Sequence, residues 1–217
     1  MNSRAELRVA VLVSGSGTNL QAIIDQLASQ ALPVKIIAVI SDRPNAYGLE
    51  RARAAGIEAL AIDYQTYARR EDYDAELEAS LQKLAPDLVV LAGYMRILAD
   101  STVNNFQGRM LNIHPSLLPA YPGLRTYERA LAAGEEWHGT TVHFVIPKLD
   151  AGPPILQYRV RIKANETEPE LRERVQQGEY IIYPRVIGWI AEGRLTLSGD
   201  QVVIDGKAIS EPLTQDE

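Results

Sequence analysis

The chain has 217 residues, 46% of them hydrophobic and 23% charged, with no cysteine and a net charge of −6 at pH 7. That length suits one large domain, and that composition excludes disorder as the main state. The missing cysteines exclude disulfides and thiolate chemistry, and the acidic balance argues against a large nucleic-acid footprint while leaving room for a small phosphate site built from backbone N–H groups.

Arg4 and Arg8 precede an apolar run of five residues, Val9 to Val13. Five are too few for a signal-peptide core, and no stretch reaches the ~18 apolar residues of a membrane span. The expectation is a cytoplasmic protein without a membrane segment.

Short Val-, Ile- and Leu-rich runs predict buried strands at 7–13, 34–40, 58–62 and 88–92. Helix-period segments at 19–29, 48–55 and 70–84 alternate with them. Apolar strands separated by helices indicate a parallel sheet covered on both faces. Gly56 suits a helix C′ position, and Pro86 stops the third helix.

Beyond residue 100 the pattern changes. A short strand at 110–113 leads into a proline-rich loop at Pro115, Pro119 and Pro122. A helix near 127–133, strands at 139–145 and 155–162, a long helix from about 168 to 192, and edge strands at 195–197 and 202–204 follow. The expected fold is α/β: a Rossmann-like three-layer αβα domain with a mixed, mostly parallel sheet of about seven strands and an antiparallel C-terminal part. Residues 1–209 form one domain in this reading, and 210–217 form a loose acidic tail.

Ser14-Gly15-Ser16-Gly17-Thr18-Asn19 joins the first strand to the first helix. Glycines let backbone approach a ligand, and a helix start offers N–H groups to a phosphate. Thr18 or Asn19 is the expected cap. The dinucleotide fingerprint wants a third glycine where Leu20 stands, and no Walker lysine follows. Asp42 is read as capping the turn that begins at Asp42-Arg43-Pro44-Asn45.

Asn112 and His114 are two apart on a strand, so both side chains project from one face, where an amide and an imidazole can donate to one oxyanion. Asp150, in the turn Asp150-Ala151-Gly152-Pro153, reads from its own segment as a turn-capping residue. His143 is either a supporting partner of Asp150 or a buried polar residue, and His138 is placed at the surface. No metal-ligand spacing and no Gly-x-Ser-x-Gly elbow is present. General acid/base and oxyanion groups without a protein nucleophile suit direct transfer between two bound small molecules.

These motifs, together with Leu91-Ala92-Gly93-Tyr94-Met95-Arg96-Ile97-Leu98 and His138-Gly139-Thr140-Thr141-Val142-His143-Phe144, give the chain a resemblance to the folate-dependent phosphoribosylglycinamide formyltransferase family over nearly its whole length. The resemblance implies formyl transfer from 10-formyltetrahydrofolate to the amine of glycinamide ribonucleotide, with no metal required, by a monomer or homodimer. It implies Asn112, His114 and Asp150 as catalytic residues. It implies Gly17, Thr18, Asn19 and Glu179 on the ribonucleotide, and Arg70, Met95, Arg96, Ile97 and Leu98 on the folate. The N-terminal half would be phosphate-binding and the C-terminal half folate-binding. Thr18 stands for a serine, Arg125 and Tyr127 stand where an enterobacterial member has histidines, and Ala151 alters the glycine pattern after Asp150. Methionyl-tRNA formyltransferase and formyltetrahydrofolate deformylase share parts of the pattern but carry additional domains. A non-catalytic nucleotide-binding module would leave Asn112, His114 and Asp150 unexplained.

Overall fold

The computed structural model describes residues 6–30 and 32–217; Arg4 lies outside them. It divides into two compact units, residues 1–111 and 112–217.

In the first unit the strands are β1 (Leu7–Val13), β2 (Val34–Ser41), β3 (Ala59–Ala61) and β4 (Leu88–Leu91), in the order β4-β1-β2-β3 and all parallel. Residues Val9 to Val13 are fully buried because β1 has a strand on each side and is covered on both faces. The helices are α1 (Thr18–Gln30), α2 (Tyr47–Ala54), α3 (Arg70–Leu84) and the short α4 (Asp100–Asn105). In α3, Tyr73, Leu77 and Leu81 recur every four residues and form its buried stripe. Ala85, left-handed at φ +46°, ends that helix just before Pro86. Gly56, at φ +70°, occupies the expected C′ position after α2.

Strand β5 (Met110–His114) contains the boundary between the units. The second unit continues with α5 (Thr126–Ala133), β6 (Trp137–Phe144), β7 (Pro154–Arg161), α6 (Glu168–Ala191), β8 (Leu195–Ser198), β9 (Gln201–Ile204), β10 (Lys207–Ala208) and β11 (Leu213–Asp216). β6 and β7 are antiparallel, β11 runs parallel to β7, and β10-β9-β8 form a separate antiparallel sheet. Helix α6 opens with a reciprocal cap between Thr167 and Glu170 and packs on β6 and β7.

The fold is thus Rossmann-like, with a mixed, mostly parallel sheet of eight strands where about seven were expected. The additional strand is β11. The stretch read as a loose tail is paired instead: Asp216 meets Arg159, and Glu217 meets Arg174. Its polar sequence gave no strand signal because arginines on β7 and α6, far away in the chain, supply its partners. No helix of the described residues is long and apolar enough to cross a membrane.

Candidate active site

Asn112 and His114 lie on β5, with the apolar side chain of Ile113 between them. The β6–β7 connection brings Asp150 to them. His114 Nδ1 stands 3.4 Å from Asp150 Oδ2, and His143 Nε2 stands 4.0 Å from Asp150 Oδ1. Asn112 Nδ2 lies 3.2 Å from His143 Nε2. The amide, the imidazole and the carboxylate predicted from sequence are therefore grouped, with His143 linking two of them.

His143 sets the direction of the Asn112 amide. Its Nδ1 lies 2.9 Å from the Phe144 carbonyl, an acceptor, so Nδ1 carries the proton. Burial pushes its pKa down to about 4, so the ring is neutral at pH 7 and Nε2 is a lone pair. Nε2 then accepts from Asn112 Nδ2, which turns the amide nitrogen inward and leaves its second N–H for another acceptor. The sequence left His143 as either a partner of Asp150 or a buried polar residue; it is buried, and its hydrogen bond is to Asn112, with Asp150 Oδ1 at 4.0 Å.

Two backbone groups of the loop before α5 complete the arrangement. The Tyr121 carbonyl lies 3.0 Å from His114 Nε2, and the Gly123 N–H donates 2.8 Å to Asp150 Oδ2. Both ring nitrogens of His114 therefore face oxygen acceptors. Tyr121, at φ +55°, holds its carbonyl there in a left-handed conformation. Neither contact is visible in the sequence, since both are main-chain groups.

Asp150 itself is left-handed, at φ +49°, a region Asp tolerates better than most residues. Gly152 lets this turn close on β6: a Cβ there would sit 1.8 Å from the Phe144 carbonyl oxygen. Thr140 and Thr141 fasten the strand exit, donating to the His114 and Ser116 carbonyls at 2.9 and 2.6 Å.

His138, expected at the surface, is buried beneath Tyr121 and Tyr127, which meet it edge-on. A ring N–H donates to the Pro115 carbonyl, and burial pushes its pKa down to about 4. Its polar type suggested exposure, whereas its neighbours come from a distant loop and helix. Glu179 lies buried on α6. Burial, with the Glu179 charge second, pushes the Tyr127 hydroxyl pKa up. Among the described residues, no group of three or more His, Asp or Glu is placed to hold a metal ion.

The glycine-rich loop of the first unit is built as tightly. Gly17, at φ +67°, has no room for a side chain: a Cβ would sit 2.6 Å from Gly48 Cα. The Gly17 carbonyl accepts from Gln21 N–H, so Gly17 occupies the cap position, and Thr18 and Asn19 already belong to α1. Arg51, which the sequence did not single out, holds the Ser16 carbonyl through Nε at 2.8 Å and Gln21 through Nη1 at 3.0 Å.

Ser14 Oγ accepts from Met95 N–H at 2.9 Å, joining this loop to the segment after β4. Arg70 Nη2 donates 2.9 Å to the Ile97 carbonyl. Met95 and Ile97 are exposed, at 63% and 55%, whereas Leu98 is buried. Asp42 does not cap its turn; Ser41 Oγ does, accepting from Arg43 N–H, while the Asp42 carboxylate binds Arg96. Arg70 and residues 95–98 belong to the first unit and Glu179 to the second.

Residues 7–187 match the formyl transferase family, and the chain belongs to that family. It is 48% identical to the phosphoribosylglycinamide formyltransferase of Escherichia coli K12, over 94% of this chain and 96% of that one. It is 44% identical to part of the trifunctional purine biosynthetic protein adenosine-3 of Drosophila melanogaster, covering 91% of this chain and 15% of that protein. The solved phosphoribosylglycinamide formyltransferase of Coxiella burnetii superposes with a TM-score of 0.91 at 47% identity, over 96% of this chain and 99% of that one. Within the class, the chain belongs to the phosphoribosylglycinamide formyltransferases, enzymes of purine biosynthesis.

Proposed function

We propose that this enzyme transfers the formyl group of 10-formyltetrahydrofolate to the amine of glycinamide ribonucleotide by direct attack, with Asn112, His114 and Asp150 as its catalytic residues. The observation that supports this most is the grouping of amide, imidazole and carboxylate, with the amide aimed by His143. The amine nitrogen attacks the formyl carbon, and negative charge gathers on the formyl oxygen. The spare Asn112 N–H and the His114 Nε2–H donate to that oxygen. Asp150 accepts the amine proton, directly or through a water. The bond from the formyl carbon to the folate nitrogen then breaks, and that nitrogen takes a proton back.

His114 Nε2 faces the Tyr121 carbonyl in this structure. Donation to the formyl oxygen requires that contact to be exchanged, so the loop carrying Tyr121 shifts when the donor arrives. Gly17, Thr18 and Asn19 hold the ribonucleotide phosphate, where α1 begins. Glu179 holds the ribose hydroxyls. Arg70 and residues 95–98 receive the folate, with Met95 and Ile97 offering exposed apolar surface to its rings. In this reading the chain acts as a formyltransferase with β11 part of its fold, working in the cytoplasm as monomer or homodimer.

The test is formyl transfer with both substrates, beside thermal shift with each alone. Product formation and stabilisation by both ligands are expected. Stabilisation by the phosphate compound only, without product, would reduce the protein to a nucleotide-binding module.

A further inference from the structure

The carboxylate of Asp42 is fully buried where β2 ends. Its Oδ2 accepts from Arg96 Nε at 2.8 Å, and Arg43 Nε stands 3.8 Å from the same oxygen. Its Oδ1 is buried too, with no hydrogen-bond partner among the described residues. The Arg96 guanidinium carbon lies 3.3 Å above the centre of the Tyr64 ring. The Tyr64 N–H in turn donates 3.1 Å to the Asp42 carbonyl. One residue thus holds Arg96 by its side chain and the ring beneath Arg96 by its main chain.

A guanidinium is planar and carries five N–H groups. Here Nε–H is committed to Asp42 and one face to Tyr64, which fixes both the tilt and the rotation of the plane. The edge bearing the two Nη groups is left, and the side chain keeps 29% of its surface exposed. That edge matches a carboxylate in two parallel hydrogen bonds. A buried carboxylate with an unmatched oxygen is costly, and apolar packing would serve stability as well. Fixing the fork gives that cost a purpose.

We propose that Asp42 is a positioning residue for the co-substrate: it locks Arg96 so that its Nη edge receives a carboxylate of the folate's glutamyl end. This rests on the reading of residues 95–98 as the folate-binding segment. The neutral, isosteric variant Asp42→Asn keeps a hydrogen-bond acceptor and loses the charge. It should raise KM for 10-formyltetrahydrofolate roughly tenfold, the order separating a charge-assisted from a neutral hydrogen bond. The turnover number and the ribonucleotide KM should stay within about twofold. With a co-substrate whose glutamyl carboxylates are amidated, Asp42→Asn and the parent should have the same KM. In an Arg96→Met background Asp42→Asn should add nothing.

Equal effects on free and amidated co-substrate, or parallel changes in both substrates' KM and in turnover, would make Asp42 a purely structural residue and overturn the proposal. A normal KM in Asp42→Asn beside a raised one in Arg96→Met would overturn it while leaving the folate reading intact. A normal KM in Arg96→Met would remove the folate reading itself. Should Asp42→Asn fail to fold, Tyr64→Leu keeps the ion pair and removes the ring beneath it. It should raise the same KM about threefold, again only for the free carboxylate form, and an unchanged KM there overturns the proposal.

Discussion

Asn112 Nδ2 can serve an oxyanion only while its amide is held one way round, and His143 is what holds it. Asn112→Ala and His114→Ala should each lower turnover by about 10²–10³ with little change in folate binding, the effect of losing one oxyanion donor. Steady-state kinetics check this, and near-normal turnover in both variants would remove the assignment. His143→Phe keeps a ring of similar size and removes the acceptor, so Asn112 is free to turn. Turnover should fall roughly tenfold, for one lost orienting hydrogen bond, with both KM values kept. Asp150→Asn tolerates the same left-handed backbone, so the protein should fold normally while turnover falls by at least about 10². The pair 112 and 114 was legible because strand side chains alternate. Asp150 was not legible from its own segment, since a turn aspartate looks the same with or without a histidine nearby; the resemblance supplied it. Arg51 escaped, and Asp42 was read as a turn cap, because their partners, Ser16 and Arg96, lie 35 and 54 residues away.

At the level of elements, the parallel strands and their helices were legible because burial on both faces demands continuous apolar runs. The short polar strands were not, since Lys207–Ala208 and Leu213–Asp216 have no such face to declare themselves. Two elements carry predictions. Gly152→Ala forces a Cβ onto the Phe144 carbonyl, so the turn must move and Asp150 with it. Turnover should drop by an order of magnitude or more while the ribonucleotide still binds, because a displacement near 1 Å can cost about 10²-fold; equilibrium binding beside kinetics separates the two effects. Deleting 210–217 removes β11, the Asp216 partner of Arg159 and one of the two carboxylates on Arg174, which keeps Glu166. The melting temperature should fall by several degrees, as loss of about 1–2 kcal/mol does in a chain of this size. An unchanged melting temperature would mean that β11 contributes nothing to the fold.

For the whole molecule, His138 and His143 dictate how stability responds to acid. Both have pKa values of about 4 when folded, against 6.5 for an unburied histidine. Between those limits the unfolded chain binds more protons than the folded one. Stability is therefore complete above about pH 6.5 and declines as pH falls toward 4, by up to roughly 3 kcal/mol for each ring. Urea midpoints between pH 7 and 5 should fall steadily, ahead of the carboxylate range. A flat profile there would show that neither ring is neutral in the native state. Composition alone suggested none of this: three histidines in 217 residues look incidental until all three prove to be buried, two of them with lowered pKa values.

The peptide stretch from Tyr121 to Gly123 imitates a reactant. It presents a carbonyl to the imidazole and an amide to the carboxylate, the same pairing that an attacking amine and a formyl oxygen would bring. In the proposed reaction an incoming donor would compete with the protein's main chain for these two groups. Such competition would weaken binding in the ground state more than in the transition state, where charge on the transferred oxygen strengthens its hydrogen bonds.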